Sequence, residues 1–125
     1  MNSSQNYTFK FQEEDIKKNK WLSVISYIGF LFIIPLFLRK DSKYARFHAN
    51  QGLALFIVEV IMALVYYFLS MIAGLFGLAM MMVGVNFVMS VILIVLISLM
   101  LMGVINASGG LAKSLPFIGG IEILK

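Results

Sequence analysis

The chain has 125 residues, of which 61% are hydrophobic and 13% are charged, whereas soluble domains average about 45–50% and about 25%. Between residues 51 and 112 the only charged side chain is that of Glu59. A water-soluble protein of this size cannot bury so long an apolar stretch, because much of its surface is exposed. Length and composition therefore exclude an ordinary soluble domain and predict an integral membrane protein.

The net charge of +4 does not indicate a nucleic-acid partner, because the basic residues flank apolar segments. Those around the first segment are Lys17, Lys18, Lys20, Arg39, Lys40, Lys43 and Arg46. Basic residues in such positions contact anionic headgroups and fix the orientation of the chain. We therefore expect the lipid bilayer, with its anionic headgroups, to be a partner of this protein.

The polar residues 1–20 form an N-terminal tail, and residues 21–125 form a single membrane domain. In the tail, Glu13 and Lys17 are spaced four residues apart, which supports a short helix. The apolar segment that follows has no small-x-small cleavage site, so we expect it to remain in the mature protein.

Residues 21–38 form the first predicted span. Eighteen uncharged residues reach about 27 Å as a helix, close to the hydrocarbon thickness of about 30 Å. Trp21 marks the headgroup depth at one end and Arg39 at the other. Pro35 removes one backbone hydrogen bond near the end, which membrane helices tolerate. A re-entrant hairpin is the alternative, and it requires a turn that is shielded from lipid.

A second helix is predicted to run without interruption from about residue 42 to residue 73. Either Asp41 or Ser42 can cap its N-terminus. It is longer than a bilayer requires, so we predict that residues 42–51 form an interfacial helical ramp and that residues 52–73 form the second span.

The third predicted span is residues 86–105, after an uncharged glycine-containing turn at residues 74–84. Gly103 and Ala107 are spaced to permit close helix contact. Residues after Gly110 form a short C-terminal interfacial segment. The predicted fold is an all-α integral membrane protein with three transmembrane helices.

The basic loop 39–47 is predicted to be cytoplasmic in a multi-pass protein of the cell membrane. With three crossings, six basic residues lie on the side of this loop and four on the other. If residues 21–38 do not cross, all ten lie on the side of the loop. The positive-inside rule gives the same orientation in both cases.

Glu59 is the most informative single residue, because a carboxylate at the centre of a span costs about 2.5–3.5 kcal/mol. Steps of seven and eleven residues return to nearly the same helical face. The polar stripe that they define consists of His48, Gly52, Glu59, Tyr66 and Ser70. It is either a polar path or substrate contact, or a structural carboxyl group bonded to an Asn or Ser of another helix.

No catalytic or metal-binding set is apparent. His48 is the only histidine and there is no Cys, so the chain lacks a metal-ligand set, and a headgroup position for His48 is favoured over a proton relay. The nine methionines suit Cu(I) in principle, but as a group they are typical fillers of apolar interiors. We predict no cofactor and no enzymatic activity.

The ramp is predicted to bind anionic lipid. Tyr44, Phe47 and His48 share one helical face, and Lys43 and Arg46 lie beside it, within reach of phosphates. The alternative is an ordinary loop whose charges only set the topology.

Three segments carry a family resemblance: Trp21-Leu-Ser-Val-Ile-Ser-Tyr-Ile-Gly29, Lys40-Asp-Ser-Lys-Tyr-Ala-Arg-Phe-His-Ala-Asn-Gln-Gly-Leu53 and Leu115-Pro-Phe-Ile-Gly119. The chain resembles small bacterial membrane proteins that are grouped with the protein-import component of the chloroplast inner-envelope translocon. The motif positions are Arg46, Phe47, His48, Asn50, Gln51 and Gly52. The resemblance implies an all-helical membrane fold and, for the plastid member, a role in a protein-conducting complex.

The predicted function is that of a small non-enzymatic subunit or accessory of a transport or translocation assembly. Three spans cannot enclose a wide pore alone, so a homo-oligomer or a partner membrane protein is expected. The alternatives are a membrane-embedded binding module, such as a self-immunity protein against a membrane-active peptide, and a scaffold for lipid or protein.

Overall fold

The computed structural model describes residues 6–8 and 11–116, and their regular secondary structure is helical. A single antiparallel bridge pairs Asn6 with Lys113. The helices are α1 (Glu13–Val24), a 3₁₀ turn (Ile25–Tyr27), α2 (Ile33–Leu38), α3 (Lys43–Leu75) and α4 (Ala79–Ser108). The prediction of an all-helical fold is confirmed.

Two helices are long and apolar enough to cross a membrane. The helix α3 has 33 residues and α4 has 30, with mean hydropathies of 2.3 and 3.0 in their most apolar windows. Only 6% and 11% of those windows are buried within the chain, whereas the core helix of a soluble protein is mostly buried. A lipid environment accounts for both the composition and the exposure of these helices.

Burial divides the described chain into two parts. Between residues 56 and 95 the only buried residue is Ala73; this part of α3 and α4 is called the hairpin. The other buried residues lie in residues 19–55 and 96–115. The base comprises residues 6–8, 11–55 and 96–116, and it contains the core of the protein.

The prediction of three spans is wrong, because residues 21–38 do not form a continuous helix. Gly29 has a φ of +53°, a conformation that L side chains rarely adopt, and the chain reverses there between α1 and α2. Four i→i+3 hydrogen bonds, donated by the amides of Ile28, Leu31, Ile33 and Ile34, pair part of the backbone across this reversal. Residues 21–38 are therefore two helical pieces joined by a turn at Gly29; they are called the turn segment.

Contacts with α3 hold the turn segment in place. The ring of Phe32 is buried and lies 5.7 Å from the ring of Phe56. The carbonyl of Ser26 lies directly against Gly52. These contacts shield one side of the turn by protein.

The helix α3 is continuous through the predicted ramp and second span. Ser42 is its N-cap and accepts a hydrogen bond from the Ala45 amide at 3.0 Å. One face of the ramp packs within the protein, because Tyr44, His48 and Gln51 are buried in the base. The helical conformation of residues 42–51 was predictable from the sequence, but the residues that pack against the face of Tyr44, His48 and Gln51 were not.

The turn between the two spanning helices is shorter than predicted. The helix α4 begins at Ala79, seven residues before the predicted start of the third span. Gly77, with a φ of +63°, makes the reversal, and the Leu78 amide donates to the Ala73 carbonyl at 2.8 Å. After α4, residues 111–116 pack on the base; the remainder of the predicted C-terminal interfacial segment lies outside the described residues.

Candidate functional site

Tyr27 and His48 form the centre of the base. Tyr27 is 1% exposed and His48 is fully buried, and the Tyr27 hydroxyl lies 2.5 Å from His48 Nδ1. His48 Nε2 lies 3.0 Å from the carbonyl of Leu111. Because a carbonyl can only accept, Nε2 carries the proton and Nδ1 accepts from Tyr27. His48 is thus a neutral side chain with both nitrogens paired, and it is not at the headgroup surface that the sequence favoured.

The same face of α3 holds the chain that follows α4. The Tyr44 hydroxyl donates to the carbonyl of Ala107 at 3.0 Å, and Gln51 Oε1 accepts from the Leu115 amide at 2.8 Å. Together with His48, these side chains lie at i, i+4 and i+7, so they form one stripe along the helix. The shared face was correctly derived from the spacing, but it binds protein backbone.

Two glycines allow the turn segment to enter this packing. A Cβ at Gly52 would lie 1.8 Å from the Ser26 carbonyl oxygen. A Cβ at Gly103 would lie 2.3 Å from the Tyr27 ring. The close contact predicted at Gly103 is therefore made by the Tyr27 side chain, which is wedged between α3 and α4.

Asp15 connects α1 to the N-terminus of α3 and was not found from the sequence. Its carboxylate accepts from the Ser42 hydroxyl at 2.5 Å, from the Tyr44 amide at 3.1 Å and from the Asn19 side chain at 2.8 Å. Burial raises the pKa of Asp15, but these hydrogen bonds outweigh it and hold the pKa below the ordinary value of 3.8. The contact joins residues 27 or more positions apart, so no local pattern reveals it.

A groove of about 510 Å³ runs between α3 and α4 along the hairpin. The side chains in it that carry polar groups are Glu59, Tyr66, Tyr67, Asn86 and Ser90, set among apolar and methionine side chains. The Tyr66 hydroxyl donates to Asn86 Oδ1 at 3.0 Å. This groove is called the hairpin groove.

The predicted polar stripe is divided between the two parts of the molecule. His48 and Gly52 face the base, whereas Glu59 and Tyr66 line the hairpin groove. Ser70 lies further along α3, and its hydroxyl is buried without a hydrogen-bond partner among the described residues. The stripe is therefore not one continuous path. The predicted interhelical partner of the polar face exists as Asn86, although it bonds to Tyr66 and not to Glu59.

The two residues predicted to bind anionic lipid, Lys43 and Arg46, lie in different surroundings. Lys43 is exposed and lines a polar cavity with residues of α1 and of the loop 39–42. Arg46 is half-buried and has a partner within the protein. In the described part of the chain no group of three or more His, Cys, Asp or Glu residues is arranged to hold a metal ion.

These features define a helical protein of the membrane class, with two helices long and apolar enough to span a bilayer, a packed base and a groove between the two helices. The chain belongs to the magnetosome magnetite crystal formation protein family (MamF/MmsF), whose sequence model matches residues 18–123.

One curated relative supports this assignment. The magnetosome protein MamF of Paramagnetospirillum magneticum is 43% identical to the chain over 37 residues, which are 30% of this chain and 33% of that protein. The match thus spans about a third of the relative's length. No solved structure matches the chain.

The family match corrects the resemblance drawn from the sequence. The matched proteins are magnetosome proteins, and nothing in the comparisons points to the chloroplast translocon import component. The motif residues from Arg46 to Gly52 lie within the matched range. In the structure, His48, Gln51 and Gly52 assemble the base.

Proposed function

We propose that the chain is a non-enzymatic membrane scaffold that self-associates in the bilayer and takes part in forming magnetite crystals in magnetosomes. Membership of the family supports the process. The hairpin groove, with Glu59 half-buried on its wall, carries the proposal of self-association. A transport or translocation role has no support from the comparisons, and two spans enclose no pore by themselves.

The cost of polar groups in lipid is the first step of the argument. A carboxyl group facing hydrocarbon is expensive, so ionisable residues in spans face protein or water. The hairpin does not fully cover Glu59, whose side chain is only half-buried in the groove. A protein surface laid over the groove removes the carboxyl group and the Asn86 amide from lipid.

A second copy fits this surface because both polar groups are self-complementary. Copies inserted by the same rule have the same orientation, so equivalent residues lie at the same depth. Two Glu59 side chains can share a proton as a carboxylic acid pair, and two Asn86 amides can each donate and accept. Asn86 Oδ1 already accepts from Tyr66, which orients the amide for its free N–H groups to donate.

The distribution of charge supports a cytoplasmic base. No Lys or Arg occurs between residues 47 and 112, so the basic residues lie at the base end of the two spans. The positive-inside rule then directs the hairpin turn to the opposite side of the membrane. Within the described residues this turn has no charged side chain with which to bind iron or a mineral surface, which favours scaffolding over direct mineral contact.

Cysteine cross-linking tests the self-association. Ser90 and Ser98 are a matched pair, because both are exposed on α4 and both hydroxyls donate to the carbonyl four residues earlier. Only Ser90 lines the hairpin groove. In native membranes, we expect Ser90→Cys to form a disulfide-linked dimer and Ser98→Cys to form much less. Equal cross-linking of the two variants would contradict the groove interface.

A functional assay tests the process separately. The wild-type chain and two variants are expressed in a magnetotactic host that lacks its own MamF, and crystal size is measured by electron microscopy. We expect Glu59→Gln, which keeps hydrogen bonding, to behave as the wild type and Glu59→Leu to give smaller or fewer crystals. If the wild-type chain does not affect crystals while Ser90→Cys still cross-links, the scaffold is retained and the mineral role is rejected.

A further inference from the structure

A polar cavity of about 340 Å³ lies at the base, between the start of α1, the loop 39–42 and the first residue of α3. Its volume is near the lower end of the range of about 300–1,000 Å³ found for small-molecule sites. The side chains that line it are Phe11, Gln12, Glu14, Asp15, Lys18, Asn19, Arg39, Asp41, Ser42 and Lys43. It is called the headgroup cavity.

The charged groups of the headgroup cavity are balanced and largely unused. Three are basic and three acidic: Lys18, Arg39, Lys43, Glu14, Asp15 and Asp41. Asp15 is engaged, because its carboxylate already accepts hydrogen bonds from Ser42, Tyr44 and Asn19. The other five make no ion pair with any residue that the structure describes. Three cations and two carboxylates therefore remain available to a ligand.

We propose that this cavity binds a zwitterion that joins a phosphate diester to a primary ammonium, as in the headgroup of phosphatidylethanolamine. Lys18, Arg39 and Lys43 supply the donors that a phosphate requires. Glu14 and Asp41 supply acceptors for the ammonium group. A purely anionic ligand would be attracted by the three cations but repelled by the carboxylates beside them.

The surroundings of the cavity indicate that the zwitterion belongs to a membrane lipid. Phe37 and Leu38 are 62% and 67% exposed, and Arg39 follows them directly, so the surface changes from apolar to basic at the rim of the cavity. On α1, Trp21 is 68% exposed and lies three residues after Lys18, on the same face. Trp and basic residues mark headgroup depth, and the apolar side chains beside them can contact acyl chains.

The experiment measures lipid retained by the purified full-length protein. The protein is reconstituted in nanodiscs of phosphatidylcholine that contain equal amounts of phosphatidylethanolamine and phosphatidylglycerol, then transferred to detergent at 0.3 M salt. The lipid bound is counted by native mass spectrometry. We expect phosphatidylethanolamine to be retained over both other lipids.

Neighbouring residues provide a matched control. The variant Lys18→Gln with Arg39→Gln removes two cations from the cavity, and Lys17→Gln with Lys40→Gln removes the same charge from exposed neighbours that do not line it. Each cation near a phosphate is worth about fivefold in affinity. We therefore expect retention to fall more than tenfold in the first variant and to stay within twofold in the second. An equal loss in both would show that only general surface charge acts, and the proposal would be overturned.

Two further arms test the zwitterion and its source. Glu14→Gln with Asp41→Asn should reverse the preference towards phosphatidylglycerol; an unchanged preference for phosphatidylethanolamine would contradict the role of the carboxylates. Soluble glycerophosphoethanolamine, which keeps the phosphate diester, is then added as a competitor at about 10 mM, about ten-thousandfold over micromolar protein. Displacement of the lipid by it would support the same site with a soluble source, whereas no binding of either form would reject the site.

Discussion

The replacement of Gly52 by Ala tests the packing of the turn segment against α3. The added methyl group would lie 1.8 Å from the carbonyl oxygen of Ser26 and 2.6 Å from its carbonyl carbon. Both atoms belong to backbone, which cannot move aside as the end of a flexible side chain does. Because an ordinary contact of this kind is about 3.5 Å or more, the 3₁₀ turn and α3 must separate.

The expected magnitude follows from two opposing effects. Overpacking of a well-packed core costs typically about 1–3 kcal/mol and occasionally more. Ala in place of Gly within a helix gains up to about 1 kcal/mol. The overlap at Gly52 is severe, so overpacking dominates, and we expect the free energy of unfolding to fall by about 1–2 kcal/mol.

Gly84 is the matched control, because it also lies within a spanning helix and a Cβ there meets no atom within 4 Å. Unfolding of the detergent-solubilised protein is followed by Trp21 fluorescence in a denaturant titration. Gly84→Ala should be as stable as the wild type or slightly more stable. A Gly52→Ala protein as stable as Gly84→Ala would refute the contact between α3 and the Ser26 carbonyl, and with it the packing of the turn segment on α3.

Three further predictions concern the base. Tyr27→Phe leaves the buried Nδ1 of His48 without a donor and should lower the free energy of unfolding by about 1–3 kcal/mol, measured beside the exposed Tyr67→Phe as a control. Because the pKa of Asp15 is held below 3.8 in the folded protein, its contribution should be constant from pH 8 to 5 and be lost as the pH falls below 3.8; hydrogen exchange of α1 measures this loss, and a decline already at pH 6 would contradict it. A cysteine in place of the exposed Asp41 should resist a membrane-impermeant thiol reagent in intact cells and react after lysis, whereas rapid labelling in intact cells would reverse the proposed orientation.

The parts of the fold that follow from local rules were predictable from the sequence. Hydropathy and length identified both spanning helices, because lipid selects long uncharged segments directly. Ser42 followed from its capping chemistry, and the shared face of Tyr44 and His48 followed from the helical period. In each case the deciding information lies within a few residues.

The first predicted span failed because hydropathy records composition and not backbone geometry. Residues 21–38 are apolar enough for lipid, yet Gly29 adopts a positive φ and the chain turns back. The turn is stable there because Gly52, which is 26 positions after Ser26 in sequence, leaves space for the Ser26 carbonyl. That pairing of a glycine with a backbone carbonyl has no signature in either segment alone.

The candidate sites were only partly predictable for the same reason. Glu59 was identified because a single charge in an apolar span is conspicuous, but its groove depends on how α3 and α4 are placed against each other. The headgroup cavity was not identified from the sequence. Lys18 and Arg39 line the same cavity only because the chain turns back after α1, so that the end of α2 lies near α1. Lys18, Arg39 and Lys43 were expected to contact headgroups as basic residues beside apolar segments, but the sequence did not show that they line one cavity.

The division between base and hairpin bears on how the two proposed sites act together. The packing that fixes α3 against α4 lies in the base, where the Tyr27 side chain lies between them. The hairpin therefore presents its groove without needing that groove for its own folding.

The headgroup cavity is near Lys43 and the groove begins near Glu59, which is 16 residues or about 24 Å along α3. Substitutions that far apart and without shared partners usually have additive effects. Lys18→Gln with Arg39→Gln should therefore reduce lipid retention equally whether or not Glu59→Leu is present, and cross-linking through Ser90→Cys should be unaffected by loss of the lipid. Dependence of either measurement on the other site would instead indicate that lipid bound at the base controls how the helices α3 and α4 associate.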